Sequence, residues 1–176
     1  MFKKQNLLYF LFNLRITSNL LDNKMIIRQA NKKDLNQLVT LEKDFLIATQ
    51  KMLNPKFKVF DEATSKSEFL KKIKDNDCLI LVAEKKKKII AFSVNEINKA
   101  QLNKRLINEG KISGIFVSKY YRKKGISSLL LKDSIKWFKS KRCTYLQLNV
   151  FKNNPAKDIY KKWGFDEFSI HMKKSL

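Results

Sequence analysis

Histidine is nearly absent from this chain, with His171 the only one, and that scarcity excludes whole classes of chemistry. Ser-His and Cys-His hydrolases need an imidazole held beside their nucleophile, and a lone histidine at the end of the last apolar run is poorly placed to supply it. Cysteine is almost as rare. Cys78 and Cys143 lie far apart, without histidine or cysteine neighbours at ligand spacing, which argues against a zinc site. Cys78 opens one apolar stretch and Cys143 precedes another, so both read as buried free thiols of a reducing cytosol. Long apolar runs are missing too. Leu7 to Phe12, behind Lys3 and Lys4, is too short to span a bilayer and no small-residue cleavage site follows it. With four glycines and two prolines in the whole chain, no Gly/Ser-rich linker divides it, and no internal repeat is visible.

Carboxylates are also few: 16 Asp and Glu against 38 Lys and Arg leave a net charge of +22. A basic excess on that scale suits RNA or another polyanion. Yet it is almost all lysine, with Arg15, Arg28, Arg105, Arg122 and Arg142 the only arginines. Asparagine and isoleucine are plentiful, as an AT-rich coding sequence would make them. The lysines are scattered, for example Lys71, Lys72 and Lys74 on a helix and Lys85 to Lys88 at a hairpin tip. A solvated surface therefore accounts for the charge better than a nucleic-acid face, although the field should discourage cationic substrates such as polyamines. At 176 residues, 44% hydrophobic and 31% charged, the chain is long enough for one globular domain with a sizeable core.

Periodicity sets the expected elements. Met25 to Ala30 reads as a first strand, and Asn31 to Asp34 caps a helix carrying Leu35, Leu38, Val39, Leu41, Phe45 and Leu46. A segment with Pro55, Phe57 and Phe60 leads to a second helix near Ser67 to Lys74. Cys78 to Glu84 and Ile89 to Ile97 form a hairpin around the lysine tip. A polar connection over residues 98–110 precedes a strand from Lys111 to Val117, and a last strand runs from Phe165 to Met172. The resulting order, β-α-α-β-β-β-α-β-α-β, predicts an α/β fold: a mixed central sheet with helices on both faces. Residues 1–24 fall outside this plan, as an extension or a misassigned start with Met25 the original one, and residues 25–176 form a single domain.

Chemistry concentrates in the run from Ile115 to Ser128. Ile115, Phe116 and Val117 end a strand; a basic turn with Arg122, Lys123 and Lys124 follows; Gly125, Ile126, Ser127 and Ser128 open a helix with Leu129, Leu130 and Trp137 at helical spacing. A strand entering a helix through such a turn aims unpaired amides and the positive helix end at one point, an anion site. Gly125 lets a phosphate approach the backbone, and the two serines are small enough not to block it. The order Arg122-x-x-Gly125-x-Ser127 resembles the coenzyme A pyrophosphate loop of the GNAT superfamily of N-acetyltransferases, Gln/Arg-x-x-Gly-x-Gly/Ala, with Ser127 a departure. No Gly-Lys-Ser/Thr follows, as a Walker loop requires, and Gly-x-Gly-x-x-Gly is absent.

Downstream, Leu146, Leu148 and Val150 alternate with Tyr145, Gln147 and Asn149 as in a half-buried strand. Asn153-Asn154-Pro155-Ala156 then opens a helix that Gly164 ends. This stretch looks like the family's Asn-x-x-Ala-x-x-x-Tyr-x-x-x-Gly-Phe block. The resemblance covers residues 25–172 and implies acetyl-coenzyme A as acetyl donor and co-substrate, without a metal. By it Ile115 to Val117 supply backbone donors, Asn153 faces the coenzyme, and Tyr160 places its phenol near the sulfur as general acid. A helix tyrosine packed on the sheet is the alternative for Tyr160. The base is open between Glu96, taken provisionally, Glu109 and a water relay. The resemblance implies an enzyme acting on an unidentified amine of a small molecule or protein; the free thiols point to a cytoplasmic setting, and the state is open between monomer and homodimer. A non-catalytic coenzyme binder and an acetyltransferase directed at RNA or charged tRNA stand as alternatives.

Overall fold

The structure, a computed structural model, describes residues 24–50, 60–102, 104–170, 172 and 174. The expected extension up to residue 23, the segment around Pro55 and Phe57, and His171 lie outside the described residues. Strand β1 (Ile26–Gln29) leads to Asn31, whose side chain accepts from the Lys33 amide at 2.9 Å while Asp34 accepts from the Asn31 amide at 2.8 Å. This reciprocal cap satisfies donors that a helix start leaves open and launches helix α1 (Leu35–Gln50). Helix α2 (Glu62–Lys74) begins earlier than its apolar spacing suggests, because Asp61 accepts from the Thr64 amide at 2.8 Å and caps it.

Strands β2 (Cys78–Lys85), β3 (Lys88–Leu102), β4 (Arg105–Val117) and β5 (Cys143–Leu148) complete a sheet of order β1-β2-β3-β4-β5, antiparallel except for the parallel pair β4–β5. Between β4 and β5 lies helix α3 (Ile126–Ser140), and the short helix α4 (Ala156–Lys162) follows β5. Helices α1 and α2 cover one face through Leu38, Phe69, Ile80, Val82, Phe92 and Phe116. Helix α3 covers the other through Leu79, Leu81, Ala91, Ile126 and Leu130. The near-continuous apolar run of β2 is thereby explained: its residues go alternately to two buried faces. The expected α/β architecture, mixed sheet with helices on both faces, is the one observed.

Two expectations need correction. Residues 98–110 are not a connection; β3 and β4 pair along them until Leu102 meets Arg105. Their asparagines, lysines and glutamine are poor strand formers, but β propensity yields to pairing in an antiparallel ribbon with solvated faces. Nor is the closing strand present among the described residues: 165–170 pair with no strand, and Phe168 is 99% exposed. Glu167 accepts from Lys157 at 3.0 Å and Lys161 at 2.9 Å, tying this segment to α4.

Glycine scarcity shapes the turns. Lys86, Lys87, Lys104, Lys123 and Arg142 all have φ between 51° and 65°, the left-handed region that costs an L-residue about 1–2 kcal/mol. Lys86 and Lys87 are the two central residues of the β2–β3 hairpin, where a primed turn favours Asn-Gly. Lys87→Gly is expected to raise the melting temperature by about 2–4 °C in scanning calorimetry; no rise would mean that the turn carries no strain. Gly110 serves close packing instead, since a Cβ there would stand 2.7 Å from Phe138 Cδ1 and also strike Leu146.

Candidate active site

β4 and β5 form a fork. They pair from Asn108 opposite Cys143 to Ile112 opposite Leu148, where β5 ends, while β4 runs on to Val117. Beyond Ile112 the outer edge of β4 has no neighbouring strand among the described residues. The direction of its backbone groups follows from one bond: the Ser118 amide donates to the Ile90 carbonyl at 2.9 Å. Val117, opposite Ala91, is therefore in a non-hydrogen-bonded pair, so its own N–H and C=O point away from β3. By the same alternation those of Ile115 do too. Two amides thus face the fork. Phe116 between them buries its ring with Phe45 and Phe92.

The turn after β4 is braced against this edge. Arg122 Nε donates to the Val117 carbonyl at 2.9 Å and its guanidinium lies 5.4 Å from the Phe116 ring centroid. Lys123 and Gly125 are both left-handed, Gly125 at φ +73° as the N-cap of α3. The first hydrogen bond of α3 runs from the Leu129 N–H to the Gly125 carbonyl, at 3.2 Å. The amides of Ile126, Ser127 and Ser128 precede it, and a glycine cap has no side chain to satisfy them. A Cβ on Gly125 would meet nothing within 4 Å, so the space before these amides is open and glycine is needed for its φ. The Ile126 side chain is core; only its amide can serve a ligand. Lys124 Nζ stands 5.5 Å over the Tyr121 ring, and Lys123, Lys124 and Ser128 are exposed.

Pro155 stands at the N-cap of helix α4, and just before it Asn154 Oδ1 accepts from the Ala156 amide at 2.9 Å, while Asn153 is exposed in the preceding turn. At its other end Phe165 N–H bonds the Tyr160 carbonyl at 3.0 Å around Gly164 at φ +85°. Trp163 and Phe165 then enter the cluster that holds Leu146 and Leu148 of β5, Ile115 of β4 and Phe138 of α3. Tyr160 packs on both, with ring centroids 5.6 Å from Trp163 and 6.3 Å from Phe165. Burial pushes its phenol above the usual range, so it is protonated near neutrality.

A polar layer lies on the α1/α2 face beside the fork. One bulge in β4 adds Ser113 between Ile112 and Gly114, and its hydroxyl donates to Glu96, which also pairs with Lys72 of α2. Glu109 is buried and accepts from the Tyr145 hydroxyl at 2.7 Å and from Gln147. That bond holds the Tyr145 phenol above its usual range. Glu96 and Glu109 thus share one sheet face, opposite Lys111 and Tyr145 respectively, whereas α3 covers the other. Sequence reading missed Lys72, Ser113, Tyr145 and Gln147. The alternation in β5 did put Tyr145 and Gln147 on one face; nothing local marked Lys72 or the bulge. The cysteines take no part: burial pushes the Cys78 thiol up to about 11, and Cys143 is raised by the same cause.

The strand fork is thus flanked by an amide-lined turn and a half-buried tyrosine, and comparison with known proteins supplies the class. The chain belongs to the acetyltransferase (GNAT) family, whose model matches residues 46–165. It is 29% identical over 109 residues to an N-alpha-acetyltransferase of Sulfurisphaera tokodaii, a match covering 58% of this chain and 65% of that relative. Among solved structures, the tetramutant of the BH1408 protein from Bacillus halodurans superposes with a TM-score of 0.77 at 24% identity, over 86% of this chain and 99% of that one. A predicted acetyltransferase with acetyl-CoA from Clostridium acetobutylicum gives a TM-score of 0.72 at 21% identity, over 86% and 96%. Among the described residues, no helix is long and apolar enough to cross a membrane.

Proposed function

We propose that residues 25–176 form an N-acetyltransferase domain that moves an acetyl group from acetyl-coenzyme A to a primary amine. The observation that carries this reading is the fork: outward amides at Ile115 and Val117, with the anion turn at its head. Those residues fit a long ligand with amides along its arm and a pyrophosphate at its end, because each polar part meets unpaired N–H groups. The coenzyme supplies a thioester, an activated acetyl group. The chain supplies the rest. Ile115 and Val117 hold the arm, and Gly125 with Ile126, Ser127 and Ser128 holds the pyrophosphate through amides. The charges of Arg122, Lys123 and Lys124 stand at the rim, and Asn153 lies exposed on the α4 side.

Acyl transfer needs a proton taken from the incoming ammonium and one given to the departing thiolate. Tyr160, protonated and half-buried against Trp163 and Phe165 of the fork cluster, is the donor. Glu96 is the proposed acceptor of the amine proton, since it is tied to Ser113 at the bulge where the fork opens; its oxygens carry Lys72 and Ser113 as those of Glu109 carry Tyr145 and Gln147. For the acceptor, the relative from Sulfurisphaera tokodaii is an N-alpha-acetyltransferase, which puts a protein α-amine first and a small-molecule amine second. Purified protein should release free thiol from acetyl-coenzyme A faster with short peptides bearing a free α-amine than with α-blocked ones. Coenzyme binding without thiol release for any amine would leave a non-catalytic binder.

A further inference from the structure

Outside the fork, charge gathers most densely at the tip of the β2–β3 hairpin. Lys85, Lys86 and Lys88 line a cavity of about 350 Å³ whose fourth wall is Tyr121. Lys85 stands directly opposite Lys88 in the ladder, and like charges in that position repel. None of Lys85, Lys86, Lys87 and Lys88 has a carboxylate partner among the described residues, unlike Lys72, Lys136, Lys157 and Lys161. The tip is held firmly all the same: Gln37 of α1 donates to the Lys87 carbonyl at 3.3 Å and accepts from the Ile89 amide at 2.9 Å. Tyr121 belongs to the short turn that leads to Gly125, and its ring carries Lys124 at 5.5 Å. The cavity therefore adjoins the anion turn, four residues of chain from Gly125.

Resting on the coenzyme reading above, we propose that this lysine cavity is the seat of a phosphate monoester, the 3′-phosphate of coenzyme A. That group is one ribose away from the pyrophosphate and carries up to two negative charges, so it brings to the cavity the charge its lysines lack. Contact with exposed ammonium groups is screened by salt, and Lys85, Lys86 and Lys88 act as point charges with rotatable donors rather than as a rigid fork. Selectivity would then be for the phosphorylated over the dephosphorylated coenzyme, a discrimination that the backbone amides of the turn cannot make.

The test is a comparison of two ligands on two proteins by calorimetric titration at low salt: acetyl-coenzyme A and its 3′-dephospho form, on wild type and on the double variant Lys85→Gln, Lys88→Gln. The expected result is that wild type binds the phosphorylated form about tenfold more tightly and that the double variant loses this ratio without weaker binding of the dephospho form. An unaltered apo melting temperature certifies that the variant folds. Equal affinities of wild type for the two ligands, or a variant that weakens both alike, overturns the proposal and leaves the coenzyme reading standing. Failure of wild type to bind either ligand overturns both. A single-stranded RNA oligonucleotide is the third arm: if the variant loses RNA binding while the coenzyme ratio stays at its wild-type value, the cavity serves nucleic acid and the assignment is wrong.

Discussion

Tyr160→Phe is expected to lower turnover about a hundredfold or more, with little change in affinity for acetyl-coenzyme A. The substitution keeps the ring against Trp163 and Phe165, at 5.6 and 6.3 Å between centroids, and removes only the hydroxyl. That hydroxyl forms no hydrogen bond among the described residues, so its loss leaves no buried partner unsatisfied and folding should survive. Because burial raises the Tyr160 pKa, the wild-type rate should hold through neutral pH and fall only above the usual range of a phenol, as the proton needed by the thiolate is lost. The variant should lack that alkaline limb. Steady-state thiol release across pH, wild type and variant side by side, measures both. Equal rates would return Tyr160 to a packing role.

Gly125→Val should abolish the rise in melting temperature that acetyl-coenzyme A produces by mass action. Gly125 sits at φ +73°, where a β-branched residue is a severe outlier, so the turn must either distort or absorb strain of about 1–2 kcal/mol. Nothing within 4 Å opposes the new side chain itself. It would instead fill the open space before the amides of Ile126 to Ser128. The apo protein should stay folded with a slightly lower melting temperature, and Gly125→Ala should fall between the two. A full coenzyme shift in the valine variant would make the turn a mere connector.

How far the sequence spoke depends on the range over which each feature is encoded. Helix α3 and the anion turn were legible because their cues are local: Gly125, two serines and an apolar stripe within one window. The cap at Asn31 and the end of α4 at Gly164 were legible for the same reason. The length of the β3–β4 ribbon was not, since Asn98 to Gln101 look like loop and become strand only through partners at Glu109 down to Leu106. The same holds for the ties of Glu96 to Lys72 and Ser113, which join residues 24 and 17 positions apart. The last strand failed in the opposite sense. Phe168, Ile170 and Met172 have the period of a strand, but local alternation cannot supply a partner, and Glu167 is engaged by α4.

The fork also says something about how a chain so biased toward lysine can keep a working cleft. A pantetheine arm is chemically peptide-like, so under the proposed reading it would complete the sheet along Ile115 and Val117 as a short guest strand does. Recognition at that end would then rest on main-chain groups, which every amino acid except proline provides in full. Side chains at the outer surface could therefore change wholesale, and the edge of β4 would still offer the same two amides.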